Sequence, residues 1–126
     1  MILIFGGAYQ GKLAYAQNRF GLTLNDVYPC DEEDSRMPEN KKIINEIDKW
    51  ILALVKAGDD ITESLERFIN ANPDAVVICN DISCGVVPMD VMLRKWREAM
   101  GRSMSELSYH SSEVLRLFCG IPTRLK

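Results

Sequence analysis

The first twenty residues constrain the fold more than any other part of the sequence. The continuous apolar run Met1–Phe5 ends at two glycines, and the apolar spacing over Lys12–Phe20 predicts a helix that Gly21 ends. A short apolar run of this kind is typical of a strand buried on both faces in a parallel sheet. A strand joined to a helix by a glycine-rich turn is the setting in which phosphate-binding loops occur.

Strand and helix patterns alternate along the rest of the chain. Apolar side chains at steps of three and four predict one helix over Pro38–Lys56. Gly101 lies inside the last predicted helix, where we expect a close packing contact because glycine costs a helix about 1 kcal/mol. The order of elements predicts a single P-loop NTPase-like α/β domain over residues 1–126, with a mostly parallel sheet flanked by helices. The remaining predictions are strands over residues 27–28, 75–79 and 114–119, and helices over residues 60–70 and 88–110.

Charge and composition exclude several classes of protein. The net charge of −3 does not suit general binding to nucleic acid. The sequence has no apolar run of the roughly 18–20 residues needed to cross a membrane bilayer. The N-terminal run lacks the basic residues that begin an export signal, so we expect a cytoplasmic protein with reduced thiols. Cys79 and Cys119 lie in apolar runs and are expected to be buried.

A phosphate-loop pattern, G-x-x-x-x-G-K, joins the first strand to the first helix. Its glycines let backbone N–H groups surround a phosphate, and its lysine reaches the outer phosphate oxygens. We therefore predict a site for GTP or ATP in which Lys12 is catalytic; the alternative is an ordinary glycine-rich turn with an unrelated lysine. Leu13 replaces the Ser or Thr whose hydroxyl helps to hold Mg²⁺. The predicted nucleotide-binding residues are Gly6, Gly7, Ala8, Tyr9, Gln10, Gly11, Lys12 and Leu13.

Acidic residues offer one candidate for the metal. Asp81 follows a predicted strand, at the edge of the sheet where ligands gather in α/β proteins. We predict that Asp81 is catalytic through binding Mg²⁺; the alternative is a turn residue that caps the loop. The run Asp31–Asp34 is predicted to be an exposed loop, with a metal site near the phosphate loop as its alternative.

The last third of the chain is locally basic, which indicates either an anion site or a solvated helix face. We predict that Arg94, Arg97 and Arg102 contact phosphate or substrate, because guanidinium groups bind phosphate through paired hydrogen bonds. The alternative is pairing along the helix with Glu98 and Glu106.

Several segments, in order, resemble one known family. Residues 2–12 resemble its opening strand and G-G-A-R-S-G-K-S loop, and residues 76–88 resemble its strand followed by N-E-V-G-x-G-I-V-P. Residues 94–102 and 113–126 are similar to its R-x-F-R-D-x-x-G-R segment and its last strand. The family is adenosylcobinamide kinase/adenosylcobinamide-phosphate guanylyltransferase, of cobalamin biosynthesis. The resemblance implies a P-loop fold, a homotrimer, phosphorylation of adenosylcobinamide by a nucleoside triphosphate, and GMP transfer from GTP through a guanylylated histidine.

The chain also departs from the family's pattern. It is shorter in the middle, and residues 31–42 lack the nucleotidylated histidine, so covalent guanylyl transfer is not expected. The only histidine, His110, is predicted near the end of the long helix. Residues 43–51 can be aligned with the family's middle strand, which puts Asn45 in place of its metal-associated acid and Glu46 beside it. The apolar spacing predicts a helix there instead, and we give the spacing more weight.

Three functional hypotheses follow from these patterns. The first is a reduced nucleotide-dependent kinase that acts on cobinamide. The second is a descendant of that enzyme that binds nucleotide or corrinoid without turnover, as the replacement at Leu13 favours. The third is a structural partner of a full-length family member.

Overall fold

A computed structural model describes residues 1–82 and 90–126. Six strands and four helices make up this part of the chain, with one turn of 3₁₀ helix at Leu24–Asp26. In chain order the elements are β1 (Ile2–Gly6), α1 (Lys12–Phe20), β2 (Val27–Pro29), β3 (Ile43–Asn45), α2 (Ile47–Ala57), α3 (Ile61–Ala71), β4 (Val76–Asn80), α4 (Val91–His110), β5 (Glu113–Phe118) and β6 (Ile121–Arg124).

The six strands form one sheet in the order β2-β3-β4-β1-β5-β6. Ile2 of β1 lies opposite Val76 of β4 on one side and Glu113 of β5 on the other. All neighbouring strands are parallel except β5 and β6, which are antiparallel. The carboxyl ends of β1, β3 and β4 therefore meet at one edge of the sheet. The expected mostly parallel α/β fold is confirmed.

Helices cover the two faces of the sheet unequally. Helix α1 packs on one face through Ala16, which joins a buried cluster with Ile4 and Ile78. Helices α2, α3 and α4 pack on the other face, where the Trp50 and Phe68 rings lie 5.2 Å apart between their centroids. Residues 7–11 thus connect β1, one of the two central strands, to α1, the helix that packs on the first face among the described residues.

The helix expected over Pro38–Lys56 is wrong in its first half. Residues 43–45 form β3, and α2 begins only at Ile47. Glu46 separates the two elements with a φ of 57°, a left-handed conformation that a helix cannot contain. Ile43 and Ile44 are both buried because they point to opposite faces of a covered sheet. The alignment of residues 43–51 with the family's middle strand is confirmed for residues 43–45, whereas residues 47–51 are helical as the apolar spacing predicts.

The C-terminal end also differs from expectation. The last strand predicted over residues 114–119 is β5, and a sixth strand, β6, follows it as an antiparallel edge. Cys119 and Gly120 form the turn with φ values of 50° and 75°. Cys119 is exposed rather than buried, whereas Cys79 is buried as expected, and both are free thiols.

The other elements follow the expectations closely. Asp60 caps α3 by accepting a hydrogen bond from the Glu63 amide at 3.0 Å, and the acidic run at residues 31–34 lies in a largely exposed loop. The predicted start of the long helix at Pro88 lies outside the described residues; Asp90 caps α4. The close contact expected at Gly101 is wrong, because a Cβ there would meet nothing within 4 Å in the described part of the chain. Within those residues, we find no helix long and apolar enough to cross a membrane.

Candidate nucleotide site

The predicted phosphate loop curls back on itself between β1 and α1. Tyr9 and Gly11 both have left-handed backbones, with φ values of 60° and 82°. Alternation of left-handed and ordinary residues turns successive N–H groups toward one point, which creates a concave site for an anion. A left-handed conformation costs a residue such as Tyr9 roughly 1–2 kcal/mol, and its side chain is fully exposed. The exposed Tyr9 side chain therefore does not offset the cost of the left-handed backbone conformation at this position.

Lys12 reaches back into the loop from the first turn of α1. Its Nζ donates a hydrogen bond to the Gly7 carbonyl at 2.6 Å, and the residue is 6% exposed. Burial lowers the pKa of Lys12, while the neighbouring Asp48, Cys79 and Glu46 side chains oppose that shift. The ammonium group thus occupies the mouth of the loop, where it can bind the outer oxygens of a phosphate chain.

Contacts on both sides hold the loop in place. The Asp81 amide at the end of β4 donates to the Gly6 carbonyl at 2.8 Å. On the other side the Cys119 amide donates to Gln10 Oε1 at 2.5 Å, and the Gly120 amide donates to the Gln10 carbonyl at 3.1 Å. The loop is therefore attached to β4 and to the β5–β6 turn, and Gln10 is the residue that makes the second attachment.

A buried carboxylate beside the loop was not among the predicted site residues. Asp48, in the first turn of α2, is 4% exposed and accepts hydrogen bonds from the Asn80 amide at 3.0 Å and the Asn80 side chain at 3.4 Å. Burial raises the pKa of Asp48, and the hydrogen bonds from Asn80 oppose that rise. The only sequence sign of this residue is an acid inside the apolar stretch that begins at Ile47.

Donors suitable for Mg²⁺ lie at the same edge of the sheet. Glu46, Asp48 and Asp81 follow the ends of β3 and β4, and Glu46 accepts a hydrogen bond from the Asn80 side chain at 3.4 Å. Residues 1–82 and 90–126 contain no group of three or more His, Cys, Asp or Glu side chains placed to hold a metal. Mg²⁺ commonly takes only one or two protein carboxylates together with substrate phosphates, so the residues present fit it in that manner.

The three predicted arginines are divided between different surfaces. Arg97 and Asp81 line one cavity of about 630 Å³ at the carboxyl edge of the sheet. Arg94 is exposed in the first turn of α4. Arg102 lines a separate groove between α3 and α4 and has no ion pair within the described residues. Of the three arginines, Arg97 is the one that lines the same cavity as the candidate metal residue Asp81.

The single histidine lies far from the loop. His110 ends α4, and its Nε2 is 3.7 Å from the Glu106 carboxylate. Ser112, two residues later, donates its amide to the Met1 carbonyl at 2.8 Å, at the start of β1. The phosphate loop follows the other end of β1, about 16 Å away along a five-residue strand. His110 therefore stands at the opposite edge of the sheet.

Comparison with protein families gives a match over most of the chain. Residues 30–125 match the model of the family described as cobinamide kinase / cobinamide phosphate guanyltransferase. The chain belongs to this family. The match confirms the resemblance stated from the sequence. Because the match begins after residues 6–13, it says nothing about the phosphate loop, for which the evidence is the geometry described above. A search of curated proteins found no match.

Membership of the family fixes the general kind of function. The chain has a domain of the cobinamide kinase/guanyltransferase type, which belongs to cobalamin biosynthesis. Proteins of this type use a nucleotide and cobinamide as substrates. The loop, Lys12 and the acidic residues beside it lie where an α/β sheet places a ligand, at the carboxyl ends of its strands.

Proposed function

We propose that this chain binds GTP or ATP with Mg²⁺ at residues 6–13 and transfers the terminal phosphoryl group to cobinamide. The observation that carries the proposal is the loop itself: left-handed backbones at Tyr9 and Gly11 with the Lys12 ammonium 2.6 Å from the Gly7 carbonyl. This arrangement combines converging N–H groups with one cation, as phosphate binding requires.

The proposed reaction is a direct phosphoryl transfer. A hydroxyl oxygen of cobinamide forms a bond to the γ-phosphorus while the bond from that phosphorus to the bridging oxygen breaks. The nucleoside diphosphate leaves, and the hydroxyl proton passes to water. Lys12 exchanges its bond to the Gly7 carbonyl for bonds to phosphate oxygens and stabilises their charge. Asp81 is the proposed carboxylate for Mg²⁺, which neutralises phosphate charge when bound.

The second family reaction is proposed to be absent. A covalent guanylyl intermediate needs a histidine nucleophile within reach of the nucleotide. His110 is the only histidine in the sequence and stands at the opposite edge of the sheet. Incubation with labelled GTP should leave no acid-labile GMP on the protein; such an adduct would overturn this part of the proposal.

Leu13 favours a second candidate, a protein that binds nucleotide or corrinoid without turnover. Its side chain packs against the cluster beneath α1 and supplies no oxygen for Mg²⁺. A nucleotide-dependent assay that follows phosphate transfer to cobinamide separates the two candidates. Binding of nucleotide without phosphorylated product would support the second.

Calorimetric titration with GTP and ATP, with and without Mg²⁺, tests the nucleotide site. We expect micromolar binding by the natural chain and at least about tenfold weaker binding by Lys12→Ala, because the variant loses the only cation in the loop. Lys95→Ala, which removes an exposed lysine of α4, is the matched control. Binding of neither nucleotide, or equal binding by Lys12→Ala, would contradict the proposal.

We further propose that residues 1–126 form one domain and that the chain assembles into a homotrimer in the cytoplasm. Exposed apolar side chains on the β5–β6 edge, Phe118 and Ile121, support contact between copies because isolated subunits seldom leave such side chains clustered. Light scattering on the purified protein measures the assembly directly. A monomer at all concentrations would contradict the trimer.

A further inference from the structure

Helix α4 carries a regular row of side chains along its outer face. The row follows alternating steps of four and three residues, and all of its members are exposed. This spacing keeps side chains on one line where two helices pack together. Any solvated helix face has the same spacing, so the identity of the side chains decides what the row can bind. Its members are Val91, Lys95, Glu98, Arg102, Ser105 and Tyr109.

The charges of this row complement themselves across a two-fold axis. We consider two copies of α4 packed antiparallel, centred midway between Glu98 and Arg102. Glu98 of each copy then lies opposite Arg102 of the other, and symmetry makes this pair twice. Lys95 lies opposite Ser105 of the second copy, which Glu106 follows. Parallel packing in register would instead bring identical charges together.

The central charges of the row are not used within one subunit. Glu98 and Arg102 are four residues apart on α4, a separation at which helical ion pairs form. Neither has an ion pair within residues 1–82 and 90–126, and the same is true of Lys95. Pairing with a second copy therefore adds charge pairs without breaking existing ones.

Exposed apolar side chains lie at the two ends of the row. Val91 is 65% exposed and Tyr109 is 78% exposed. They stand equally far from the centre of the charge pairs and about 27 Å from each other along the helix. The antiparallel pairing therefore puts Val91 of each copy against Tyr109 of the other. Both side chains then lose apolar surface to the contact, which favours association.

Gly101 lies beside the point where the two helices would cross. Glycine in a helix interior is unfavourable, and a Cβ at Gly101 would meet nothing within 4 Å in the described part of the chain. Packing within one subunit therefore does not explain this glycine. A glycine at a crossing point lets two helix backbones approach closely, which brings the charge pairs on either side within reach.

A groove between α3 and α4 can receive the second helix. It has a volume of about 600 Å³, and Glu98 and Arg102 lie along it. Apolar side chains of α3, Ile61, Leu65 and Ile69, also line the groove. By symmetry each α4 lies in the groove of the other subunit, so α3 and α4 of both copies form one layer of four helices. This surface is separate from the β5–β6 edge of the sheet.

We propose that the outer face of α4 is a docking surface for a second copy of this chain, packed antiparallel about a two-fold axis near Gly101. The inference does not depend on binding of nucleotide or cobinamide. It is also distinct from the proposed homotrimer, because a two-fold contact does not generate a ring of three subunits. The α4 contact alone gives a dimer, and together with a three-fold contact it gives an assembly of six subunits.

Charge reversal on α4 tests the docking surface. Glu98→Arg puts two guanidinium groups opposite each other, and the two-fold axis repeats the repulsion, so one substitution acts twice. Arg102→Glu does the same with two carboxylates. The double variant, Glu98→Arg with Arg102→Glu, exchanges the two charges and restores both pairs. Glu39→Arg, which is exposed and outside α4, is the matched control for the change in net charge.

Light scattering over a dilution series measures the mass of each sample at low ionic strength, where charge pairs are least screened. We expect each single reversal to halve the mass of the natural assembly and to weaken the contact at least about tenfold. The double variant and Glu39→Arg should keep the natural mass. An unchanged mass in both single reversals, or a double variant that does not recover the natural mass, would overturn the inference.

Gly101→Leu separates a broken contact from a damaged subunit. The new side chain enters open space within one subunit, and leucine favours a helix more than glycine does. We therefore expect circular dichroism to show helices of undiminished thermal stability. The same side chain would hold two helices apart at the axis, so the mass should again be halved. An unchanged mass in this variant would contradict the close approach at Gly101 and overturn the inference.

The mass of the natural chain separates this inference from the proposed trimer. A dimer supports the α4 contact and contradicts the trimer, whereas six subunits support both. A natural chain of one or three subunits at every concentration would assign the row to a different partner and overturn the inference.

Discussion

Lys12 and Asp48 are the two charged side chains that the described residues bury, and both lie at the carboxyl edge of the sheet. Burial disfavours the charged form of each, so it lowers the pKa of Lys12 and raises the pKa of Asp48. The Asp48 carboxylate partly offsets the burial of Lys12, because it is the largest of the electrostatic effects that raise the pKa of that lysine. The burial of Asp48 is offset mainly by its hydrogen bonds from Asn80.

Asp48→Asn should change how stability depends on pH. Burial raises the folded-state pKa of Asp48 above its ordinary 3.8, so the folded protein binds more protons than the unfolded chain between these two values. This group therefore contributes a loss of stability as pH rises through that interval. We expect the unfolding free energy of the variant, relative to the natural chain, to increase over the same interval and then level off.

Urea unfolding at a series of pH values measures this difference. Asp74→Asn, which removes an exposed turn carboxylate, controls for the change in net charge. A difference between Asp48→Asn and the natural chain that stays constant with pH would show that the Asp48 carboxyl does not titrate in this way.

Sequence reasoning predicted a phosphate loop at residues 6–13, which stays a prediction, but it did not single out Asp48. The loop is local, since its glycines and Lys12 lie within seven consecutive residues. Asp48 is buried in the fold and accepts hydrogen bonds from Asn80, which is 32 residues away and belongs to β4. No local pattern distinguishes such an acid from a solvated one in the first turn of a helix, where acids are common.

Gly6 is expected to tolerate no side chain. A Cβ at Gly6 would overlap the Leu117 carbonyl oxygen of β5, whereas a Cβ at Gly7 would make an ordinary contact of 3.5 Å with the Gln10 side chain. We expect Gly6→Ala to lower the unfolding free energy by about 1–3 kcal/mol and Gly7→Ala to change it far less. Thermal unfolding of the pair measures the contrast; equal stabilities would contradict the close approach of β1 and β5.

At the scale of elements, β3 shows the limit of periodicity. Ile43 and Ile44 continue the three- and four-residue spacing of α2, so the sequence reads as one helix. The strand is only three residues long and is buried on both faces between β2 and β4, which removes the alternation that would identify it. Its existence depends on pairing with β2 and β4, which a window of local sequence does not contain.

Strand β6 was not predicted from the sequence, for a different reason. All four of its residues are exposed, and Pro122 cannot donate a backbone hydrogen bond. Both features are compatible with an edge strand that pairs on one side only, as β6 does with β5. The composition of residues 121–124 favours a loop, but these residues form a strand because they pair antiparallel with β5.

The turn between β5 and β6 is expected to stabilise the phosphate loop through Gln10. Gln10→Ala removes the acceptor for the Cys119 amide at 2.5 Å, and the net loss should be about 1 kcal/mol. Hydrogen exchange should accelerate at the amides of residues 7–12 and at Cys119. Gln17→Ala, in α1 outside the loop, is the control; equal exchange in both variants would contradict the attachment.

At the scale of the whole molecule, the sheet predicts one cooperative unfolding transition. The central strand β1 pairs with β4 and β5, so strands from both ends of the chain share one sheet and its buried clusters. Trp50 and Trp96 report on packing against α2 and α4, and circular dichroism reports on the helices. We expect coincident transitions, with an unfolding enthalpy of about 70–90 kcal/mol near 60 °C. Separate transitions would contradict the single domain.

The position of β1 in the sheet also determines how late this strand can pair while the chain is being synthesised on the ribosome. Residues 2–6 are made first, yet their two neighbours are residues 76–80 and 113–118. Contacts so distant in sequence form late and slowly. The nascent chain therefore carries this apolar segment unpaired through most of translation, and the loop that follows it gains its neighbours from β4 and the β5–β6 turn only when nearly the whole chain has left the exit tunnel.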